Sequence, residues 1–541
     1  MSATRRRPWA LVIPALCGTL ALSQPAPPAR SAPGARATPE IPALPRISAP
    51  LRQSARSYAF SASEHQQQPL DLRRFGYVET EYLVRGQARV YDWSEAQTAP
   101  GSSDSTTARR PPDFAVTVLA QGPYTTRILV RRPADDRRFS GTVVVEPMNP
   151  SDDIDLPIMW AESYRQFLAD GDAWVGITIK PNTIRALQHF DPVRYAALGM
   201  PSPGAGARCA AAAINAFSKP TTPADETGLA WDMLSELGVL LKSHSGSNPL
   251  TRPASRLYMT GQSQTAGYAR LYASLFSGRE VAADGKPLYD GYLYSGSPPW
   301  QVPINQCRRD FARGDPRLIT APAGVPVIEL FTQGDMTTNL PTRRPDGDTV
   351  ADRFRRYEVA GAPHVDPWES RSFAAEADAA RAHGRLQDNE GQVCSPKDVT
   401  ASDFPVRYVF DAAWHILENW VRRGSDAPHA APLQMVPDAE QLTPDRMFVL
   451  DALGNAKGGV RSPTVDVATA RWVGAKAGPF ICLFHGYKIP FDHEELRRLY
   501  RDHAGYVAKV RTSAEALVRE QWLTPVDAAE AERDAERASV P

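Results

Sequence analysis

The sequence predicts an α/β fold, in which a mostly parallel sheet carries helices on both faces. From residue 141 onward, short apolar runs rich in Val, Ile and Tyr alternate with amphipathic stretches of helical spacing, the pattern of strands joined by crossover helices. The chain has 541 residues, of which 42% are hydrophobic and 23% charged. This length and composition are those of a globular protein with a large buried core.

Strand signals begin before the alternating pattern. The stretches YVETEYLVRGQARVYDW, DFAVTVLAQGPYTTRILVRRP and GTVVVEPM are rich in β-branched and aromatic residues, with turn residues between them. There follow, in order, the helix IMWAESYRQFLADG, the strand AWVGITIKP, the helix GLAWDMLSELGVLLKS, the strand RLYMTG, a helix from Gln264, the strands YDGYLYSG, VPVIELFTQG and RFRRYEVAG, and the helix PVRYVFDAAWHILENWVRRG. This order predicts a sheet whose parallel strands end at one common edge.

The first fifty residues predict export followed by a spacer. Residues 1–23 combine RRR, the apolar run WALVIPALCGTLAL and small residues near Ser23, which is typical of a signal peptide. The apolar run is shorter than the ~20 residues that span a bilayer, so we expect no stable membrane insertion and a periplasmic or secreted protein. Residues 24–50 hold eight prolines and are predicted to be a disordered Pro/Ala-rich spacer.

The rest of the chain is predicted to form a main domain and an extension. The α/β domain spans residues 51–430, with two connections too long for simple links, at 181–226 and 296–324. Ordered loops of this length in such sheets usually form lids or pocket walls. Residues 431–541 pass through an irregular Gly and Pro segment into a mostly helical tail, predicted to pack on the main domain.

Charge and cysteine content limit the partners and the compartment. Lys plus Arg and Asp plus Glu each number 61, so the zero net charge gives no attraction for nucleic acid. Removal of the signal would leave Cys209, Cys307, Cys394 and Cys482, an even number that predicts disulfides in an exported protein. Three connectivities are possible. Cys209 and Cys307 lie in the two long insertions, and a bond between them would staple the insertions together; buried free thiols are the alternative.

The stretch LYMTGQSQTAGYARLY, residues 257–272, carries the clearest chemical signal. A strand, Gly261, a polar residue, Ser263 and a helix start together predict a nucleophile elbow, the turn that raises a serine hydroxyl above the sheet edge of an α/β-hydrolase. The turn is so tight that a side chain at Gly261 would collide with the following helix. Thr265 stands where a second glycine is usual, and this departure weakens the motif.

Two later strand ends supply partners for the serine. Asp335 follows VPVIELFTQG and His364 follows RFRRYEVAGAP, so Ser, Asp and His occur in the chain order of this fold. We therefore predict a Ser263, Asp335 and His364 triad. The competing acids are Glu329, inside its strand, and Asp366, only two residues past the histidine.

A tetrahedral oxyanion requires two aimed hydrogen-bond donors. The backbone N–H of Gln264, at the helix N-terminus, is the predicted first donor. The second is expected from the loop after GTVVVEP, from Met148 or Asn149.

The motifs GQSQTAG, YEVAGAPHVD, FDPVRYAAL, GGVRSPTVDVATARW and LRRLYRDHAGYVAKV resemble those of the exported α/β-hydrolase-domain proteins of bacteria and fungi, a largely uncharacterised group. The similarity runs from about residue 70 to the C-terminus. It implies an α/β-hydrolase fold in which Ser263 and His364 match the nucleophile and the base, and it implies little about the substrate. The acid carries over less directly, because Gln333 stands where the family has a Glu.

The sequence thus predicts an exported serine hydrolase that cleaves small-molecule or polymer-derived carboxylic esters through an acyl-enzyme. The same residues leave open an amidase or lactonase, and an inactive binding protein that keeps the fold. No metal or other cofactor is implied, because no HExxH, paired CxxC or GxGxxG motif occurs in the required context.

Overall fold

A ten-stranded sheet lies at the centre of the computed structural model, which describes residues 39–94, 116–204, 224–307, 311–321, 324–384 and 393–540. Its strands are Arg46–Ile47 (β1), Tyr77–Trp93 (β2), Val116–Pro133 (β3), Thr142–Pro147 (β4), Ala173–Ile177 (β5), Arg256–Gln262 (β6), Gly291–Ser295 (β7), Val327–Thr332 (β8), Gly347–Thr349 (β9) and Asp352–Val359 (β10). The spatial order is β1-β2-β3-β5-β4-β6-β7-β8-β10-β9.

Six neighbouring strands of the sheet run parallel to one another: β5, β4, β6, β7, β8 and β10. The strands outside this group, β1, β2, β3 and β9, pair antiparallel with their neighbours. Register brings the strand ends level: Gln262 pairs with Ser295, Ser295 with Leu330, and Thr332 with Val359. The carboxyl ends of β6, β7, β8 and β10 therefore meet at one edge, as the sequence pattern predicted, and the loops after them share one region.

Helices cover both faces of the sheet. They are Ile158–Asp170 (α1), Pro181–Phe190 (α2), Ala230–Lys242 (α3), Gln264–Leu275 (α4), Met336–Asn339 (α5), Glu376–Arg381 (α6), Arg407–Arg423 (α7), Pro463–Asp466 (α8), His493–Tyr500 (α9), His503–Arg519 (α10) and Pro525–Arg537 (α11). Neighbouring side chains of β4 point to opposite sides, so Val143 and Val145 pack in one hydrophobic cluster with α3 and α4, whereas Val144 packs in the other with α1 and α7. The predicted α/β architecture is confirmed.

The chain after residue 430 belongs to the same core. Its side chains Leu433, Phe448 and Trp472 share a hydrophobic cluster with Leu330 and Phe331 of β8. A second, three-stranded sheet forms there from Thr400–Ala401 (β11), Ala470–Val473 (β12) and Tyr487–Pro490 (β13), in the order β11-β13-β12. The predicted boundary at residue 430 thus lies within one hydrophobic core, and the predicted helical tail corresponds to α9, α10 and α11.

The prediction that residues 24–50 form a disordered spacer is wrong near the end of that segment. Arg46 and Ile47 form β1 and pair with Arg85 and Val84 of β2, and Ile47 packs against the core. An unpaired backbone edge on β2 provides the hydrogen-bonding partner that compensates for the ordering of this short segment. The predicted signal peptide, residues 1–23, and residues 24–38 of the predicted spacer lie outside the described residues.

One disulfide joins Cys394 to Cys482, which lie 88 residues apart in the chain. Both side chains are buried. Cys209 lies outside the described residues, so its predicted bond with Cys307 stays a prediction. Within the described ranges, no helix combines the length and apolar character needed to cross a membrane.

Candidate active site

Ser263 occupies the turn between β6 and α4, with φ 55° and ψ −119°. Such a positive φ costs a residue with a side chain on the order of 1–3 kcal/mol and occurs mostly at functional sites. The turn is held by hydrogen bonds from Ser263 N–H to the Ser295 carbonyl, at 2.9 Å, and from Gly267 N–H to the Ser263 carbonyl, at 3.3 Å. The geometry is that of the predicted elbow.

The two residues that flank the elbow explain why it closes. A Cβ at Gly261 would lie 2.6 Å from the backbone carbonyl of Thr265, which is the collision that the sequence predicted. Thr265 itself is fully buried; its hydroxyl donates to the Gln262 carbonyl at 3.1 Å and accepts from Gln262 N–H at 3.3 Å. The threonine that departs from the usual pattern therefore braces the turn.

Asp335 and His364 are brought together by β8 and β10. His364 Nδ1 lies 2.5 Å from Asp335 Oδ1, and both side chains are largely buried. The other carboxylate oxygen, Oδ2, accepts from Thr332 N–H at 2.7 Å and from the Thr332 hydroxyl at 2.9 Å. These contacts fix the carboxylate with one oxygen directed at the imidazole.

The competing acids have other partners. Glu329 accepts from the Ser297 hydroxyl at 2.8 Å, and Asp366 accepts from the N–H groups of Trp368 and Val406 at 2.5 and 3.1 Å. Neither carboxylate bonds to His364 in the described structure. Of the three carboxylates, Asp335 is the one that lies beside His364, and its role as the triad acid stays a prediction.

Gly296, which the sequence reading missed, makes room for the histidine and aspartate pair. It follows β7 with φ +64°, and a Cβ there would lie 2.9 Å from the His364 ring and 3.0 Å from Asp335 Oδ1. The sequence feature that could have revealed Gly296 is its place at the end of the strand YDGYLYSG, at the same sheet edge as the predicted triad.

A cavity of about 410 Å³ opens beside these residues, and Ser263, His364 and Asp335 all line it. Its other walls are mostly apolar and aromatic, contributed by Leu156, Ile158, Trp300, Phe373, Phe480, Ile481, Leu483 and Phe484. Trp300 comes from the predicted insertion 296–324. Of the described residues in the insertion 181–226, none lines this cavity.

The sequence reading also missed the C-terminal contribution to the cavity. A short 3-10 helix, Phe480–Phe484, forms one wall, and we call it the Phe480–Phe484 wall. The disulfide between Cys482 and Cys394 links this short helix to a preceding segment of the chain. The far end of the helix contacts the residue after His364, because Val365 N–H donates to the Phe484 carbonyl at 2.9 Å.

Acidic side chains border the cavity, and burial raises the pKa of one of them, Glu369. Glu369 is buried, and burial first and the nearby Asp366 second raise its pKa well above the ordinary value. Asp152 and Glu376 lie on the same lining. No lysine or arginine is among the described residues that line the cavity, so this lining presents no permanently charged cation to an anionic ligand.

The predicted oxyanion donors are corrected in part. Met148 N–H donates to the Ile177 carbonyl at 3.0 Å, and Asn149 N–H to the Leu156 carbonyl at 2.9 Å, so the continuing sheet and loop already engage both backbone groups. Met148 is buried away from the described cavity lining. Asn149 lines the cavity, and its Nδ2 donates one hydrogen to the Gln262 carbonyl at 2.9 Å. Its carboxamide has a second hydrogen to offer.

Gln264 lies where the sequence predicted. It is the first residue of α4, and it lines the cavity directly after Ser263. The first N–H groups of a helix have no acceptor within the helix and carry its positive dipole end. An anion formed beside Ser263 would meet that end of α4.

Comparison with solved structures finds the following likenesses. A glucuronoyl esterase from Solibacter usitatus is 9% identical, with a TM-score of 0.26, over 59% of this chain and 82% of its own. An α/β serine hydrolase homologue from Coxiella burnetii is 11% identical, with a TM-score of 0.23, over 48% and 91%. A siderophore hydrolase from Aspergillus nidulans is 14% identical, with a TM-score of 0.22, over 48% and 75%. No curated protein matches the chain.

The family assignment rests on the sequence itself. The sequence profile described as "Alpha/beta hydrolase domain" matches residues 47–533, a span that includes every strand of the large sheet except the first residue of β1, together with the elbow and the Phe480–Phe484 wall. The match agrees with the parallel sheet and with the serine turn at its edge. The chain belongs to this α/β-hydrolase domain family.

Proposed function

We propose that the protein is an exported serine hydrolase that cleaves carboxylic esters through an acyl-enzyme intermediate. The observation that carries the proposal is that Ser263, on its strained turn, lines one cavity with the hydrogen-bonded pair of His364 and Asp335. A nucleophile, a base and a group that orients the base are the parts that acyl transfer requires.

Each residue has a defined task. Ser263 Oγ attacks the acyl carbon while its proton passes to His364 Nε2, and Asp335 holds Nδ1–H and stabilises the resulting imidazolium. Collapse of the tetrahedral intermediate breaks the ester bond, and the imidazolium proton goes to the leaving alcohol. Water, activated by the same nitrogen, then attacks the acyl-enzyme and releases the acid and the free serine.

Two donors are proposed for the oxyanion. Gln264 N–H lies at the start of α4 beside the nucleophile. The side chain of Asn149 takes the place of the backbone groups that the sequence suggested, since its Nδ2 is anchored on the Gln262 carbonyl and it lines the same cavity. Removal of one such donor typically costs about 10²–10³ in kcat.

The cavity supports esters without negative charge. Its aromatic and aliphatic walls suit an apolar acyl or alcohol group, and its acidic border without a described cation disfavours carboxylate-bearing substrates. The same machinery would also open a lactone or an amide. A matched panel of a phenyl ester, the corresponding anilide and an aryl lactone separates these reactions.

Export is proposed from the N-terminal pattern and the disulfide. A cysteine pair buried as a disulfide suits an oxidising compartment. Cleavage of the chain near Gln24, read by mass spectrometry of protein recovered outside the cytoplasm, is the expected result.

The decisive experiment is labelling of purified protein with a fluorophosphonate, followed by mass spectrometry of the modified peptide. We expect the label on Ser263 in the wild type, its loss in Ser263→Ala and His364→Ala, and slower labelling in Asp335→Asn. Ser151 lines the same cavity, so Ser151→Ala is the matched control and should label like the wild type. A folded wild type that takes no label would overturn the hydrolase in favour of a binding protein.

A further inference from the structure

The residue between Gly261 and the nucleophile makes two contacts with the proposed base. The Nε2 atom of Gln262 lies 3.2 Å from the His364 carbonyl oxygen and 3.3 Å from His364 Nε2. Gln262 is only 4% exposed, so both contacts lie out of bulk water. The elbow thus reaches the histidine through Gln262, the residue before the serine.

The carbonyl contact fixes which way the carboxamide faces. If the amide were reversed, its oxygen would face the His364 carbonyl oxygen, and two acceptors would meet without a hydrogen between them. The NH₂ group must therefore face the carbonyl. It has two hydrogens, and the second is directed at His364 Nε2, which must then act as the acceptor.

The other ring nitrogen leads to the same conclusion. Asp335 Oδ2 already accepts two hydrogen bonds from Thr332, and Oδ1 lies 2.5 Å from His364 Nδ1. A carboxylate accepts only, so Nδ1 carries the hydrogen. Asp335 and Gln262 together select the neutral imidazole with hydrogen on Nδ1 and a lone pair on Nε2, which is the form that a general base needs.

Gln262 is itself held firmly at its backbone. Its carbonyl accepts from Asn149 Nδ2 at 2.9 Å and from the Thr265 hydroxyl at 3.1 Å. The backbone origin of the side chain is therefore set by the loop after β4 and by α4. A shift of His364 away from this position would lose both hydrogen bonds from the amide.

We propose that Gln262 is a positioning residue that keeps His364 neutral and aligned until the substrate arrives. The proposal rests on the role assigned to His364 above. An imidazolium would point its Nε2–H at the amide NH₂, placing donor against donor, so Gln262 opposes protonation of the resting base. Before His364 accepts the Ser263 proton, the amide must release the Nε2 lone pair, and the N–H formed there is then free to serve the leaving-group oxygen.

The test is a titration of the His364 ring by NMR in protein labelled with ¹⁵N-histidine. The chain has ten histidines, and the resonance absent from His364→Gln assigns the ring. Gln262→Met removes the donor at similar length, and Gln262→Glu replaces it with an acceptor for the imidazolium. Gln67 also lines the cavity, so Gln67→Glu adds the same charge without the contact.

We expect the titration midpoint to rise from wild type to Gln262→Met and further, by about one pH unit or more, to Gln262→Glu. Gln67→Glu should move it much less. The acidic limb of the kcat/KM profile should shift in the same order, whereas a merely structural residue would lower activity equally at every pH.

Two results would separate this proposal from the proposed function. Equal midpoints in wild type, Gln262→Met and Gln262→Glu, with Ser263 still labelled by the fluorophosphonate, overturn the role of Gln262 and leave the hydrolase intact. The predicted order of midpoints without any labelling supports the role of Gln262 toward the ring and overturns the hydrolase. Thermal unfolding of each variant verifies that the protein is folded.

Discussion

The ring of Phe484 lies against the ring of His364, with centroids 4.6 Å apart and planes inclined by 30°. The two residues come from distant parts of the chain, one directly after β10 and the other from the Phe480–Phe484 wall. The contact covers one face of the imidazole with an apolar surface. The C-terminal region is thereby part of the environment of the proposed base.

Loss of this ring should slow catalysis with little loss of fold. For Phe484→Ala we expect kcat/KM for an apolar ester to fall about tenfold, which corresponds to ~1.4 kcal/mol, because the imidazole loses its support and the cavity its wall. Phe75 is 43% exposed and lies outside the cavity lining, so Phe75→Ala is the control and should keep wild-type kinetics. Unchanged kinetics in Phe484→Ala would show that the contact is incidental.

Removal of the disulfide should affect activity as well as stability. Cys482 lies within the Phe480–Phe484 wall, and its bond to Cys394 closes a long segment, for which chain-entropy arguments give about 4.6 kcal/mol. We expect Cys394→Ala/Cys482→Ala to unfold at lower denaturant concentration. We also expect it to lose the proposed ester hydrolysis under conditions where circular dichroism still reports native structure. A variant with full activity and a lowered unfolding midpoint would limit the bond to a structural role.

A methyl group at Gly296 should displace the base from its acid. The added Cβ would approach the His364 ring and Asp335 Oδ1 at about 3 Å, and the positive φ adds strain. We expect Gly296→Ala to reduce kcat by about 10²-fold or more, with KM changed much less, since the proton transfer is misaligned. Gly246 has open space around its Cβ position, so Gly246→Ala should retain wild-type kcat. Equal kcat in the two variants would contradict the proposed constraint.

Titration of Glu146 should make the free energy of unfolding decrease as the pH rises. This buried residue at the end of β4 accepts from the N–H groups of Met159 and Trp160 at the start of α1 and from the Trp174 indole, at 2.8 to 2.9 Å. Burial is the largest influence and raises its pKa to about 7, against an ordinary value of 4.5. The folded state therefore keeps the proton on Glu146 up to a higher pH than the unfolded chain does. The resulting contribution to the free energy of unfolding is fully present below pH 4.5 and is lost as the pH rises through about 7.

Glu146→Gln removes that titration. The free energy of unfolding of the wild type, measured relative to Glu146→Gln, should decline by on the order of 2 to 3 kcal/mol between pH 4.5 and pH 8. Gln should also lower stability overall, because its NH₂ group would face one of the three donors. A difference that stays constant with pH would mean that Glu146 remains ionised in the fold.

Much of the fold and of the site geometry was predictable because it depends on local patterns. Apolar runs of strand length and helices between them predict parallel strands whose ends meet, and Ser263, Asp335 and His364 each follow such an end. The tight turn demands a small residue at Gly261 through purely local sterics, which is why one sequence motif was sufficient to predict it.

The parts that could not be predicted depend on contacts between distant segments. Nothing local to Phe480–Phe484 indicates that this stretch lies against His364, and Gly296 is required only because two residues from other strands meet above it. The loop after β4 was predicted to supply a backbone donor. Which of its N–H groups are already engaged depends on Ile177 and Leu156, which are pairing partners that a linear pattern does not reveal.

The Phe480–Phe484 wall also sets the order in which the site can be completed. Ribosomal synthesis delivers the elbow first, then Asp335 and His364, and only near the end of the chain the wall and Cys482. A nascent chain that already contains Ser263, Asp335 and His364 still has an open cleft on the side where Phe484 later packs. The complete cavity around Ser263 is therefore a property of the finished, oxidised chain.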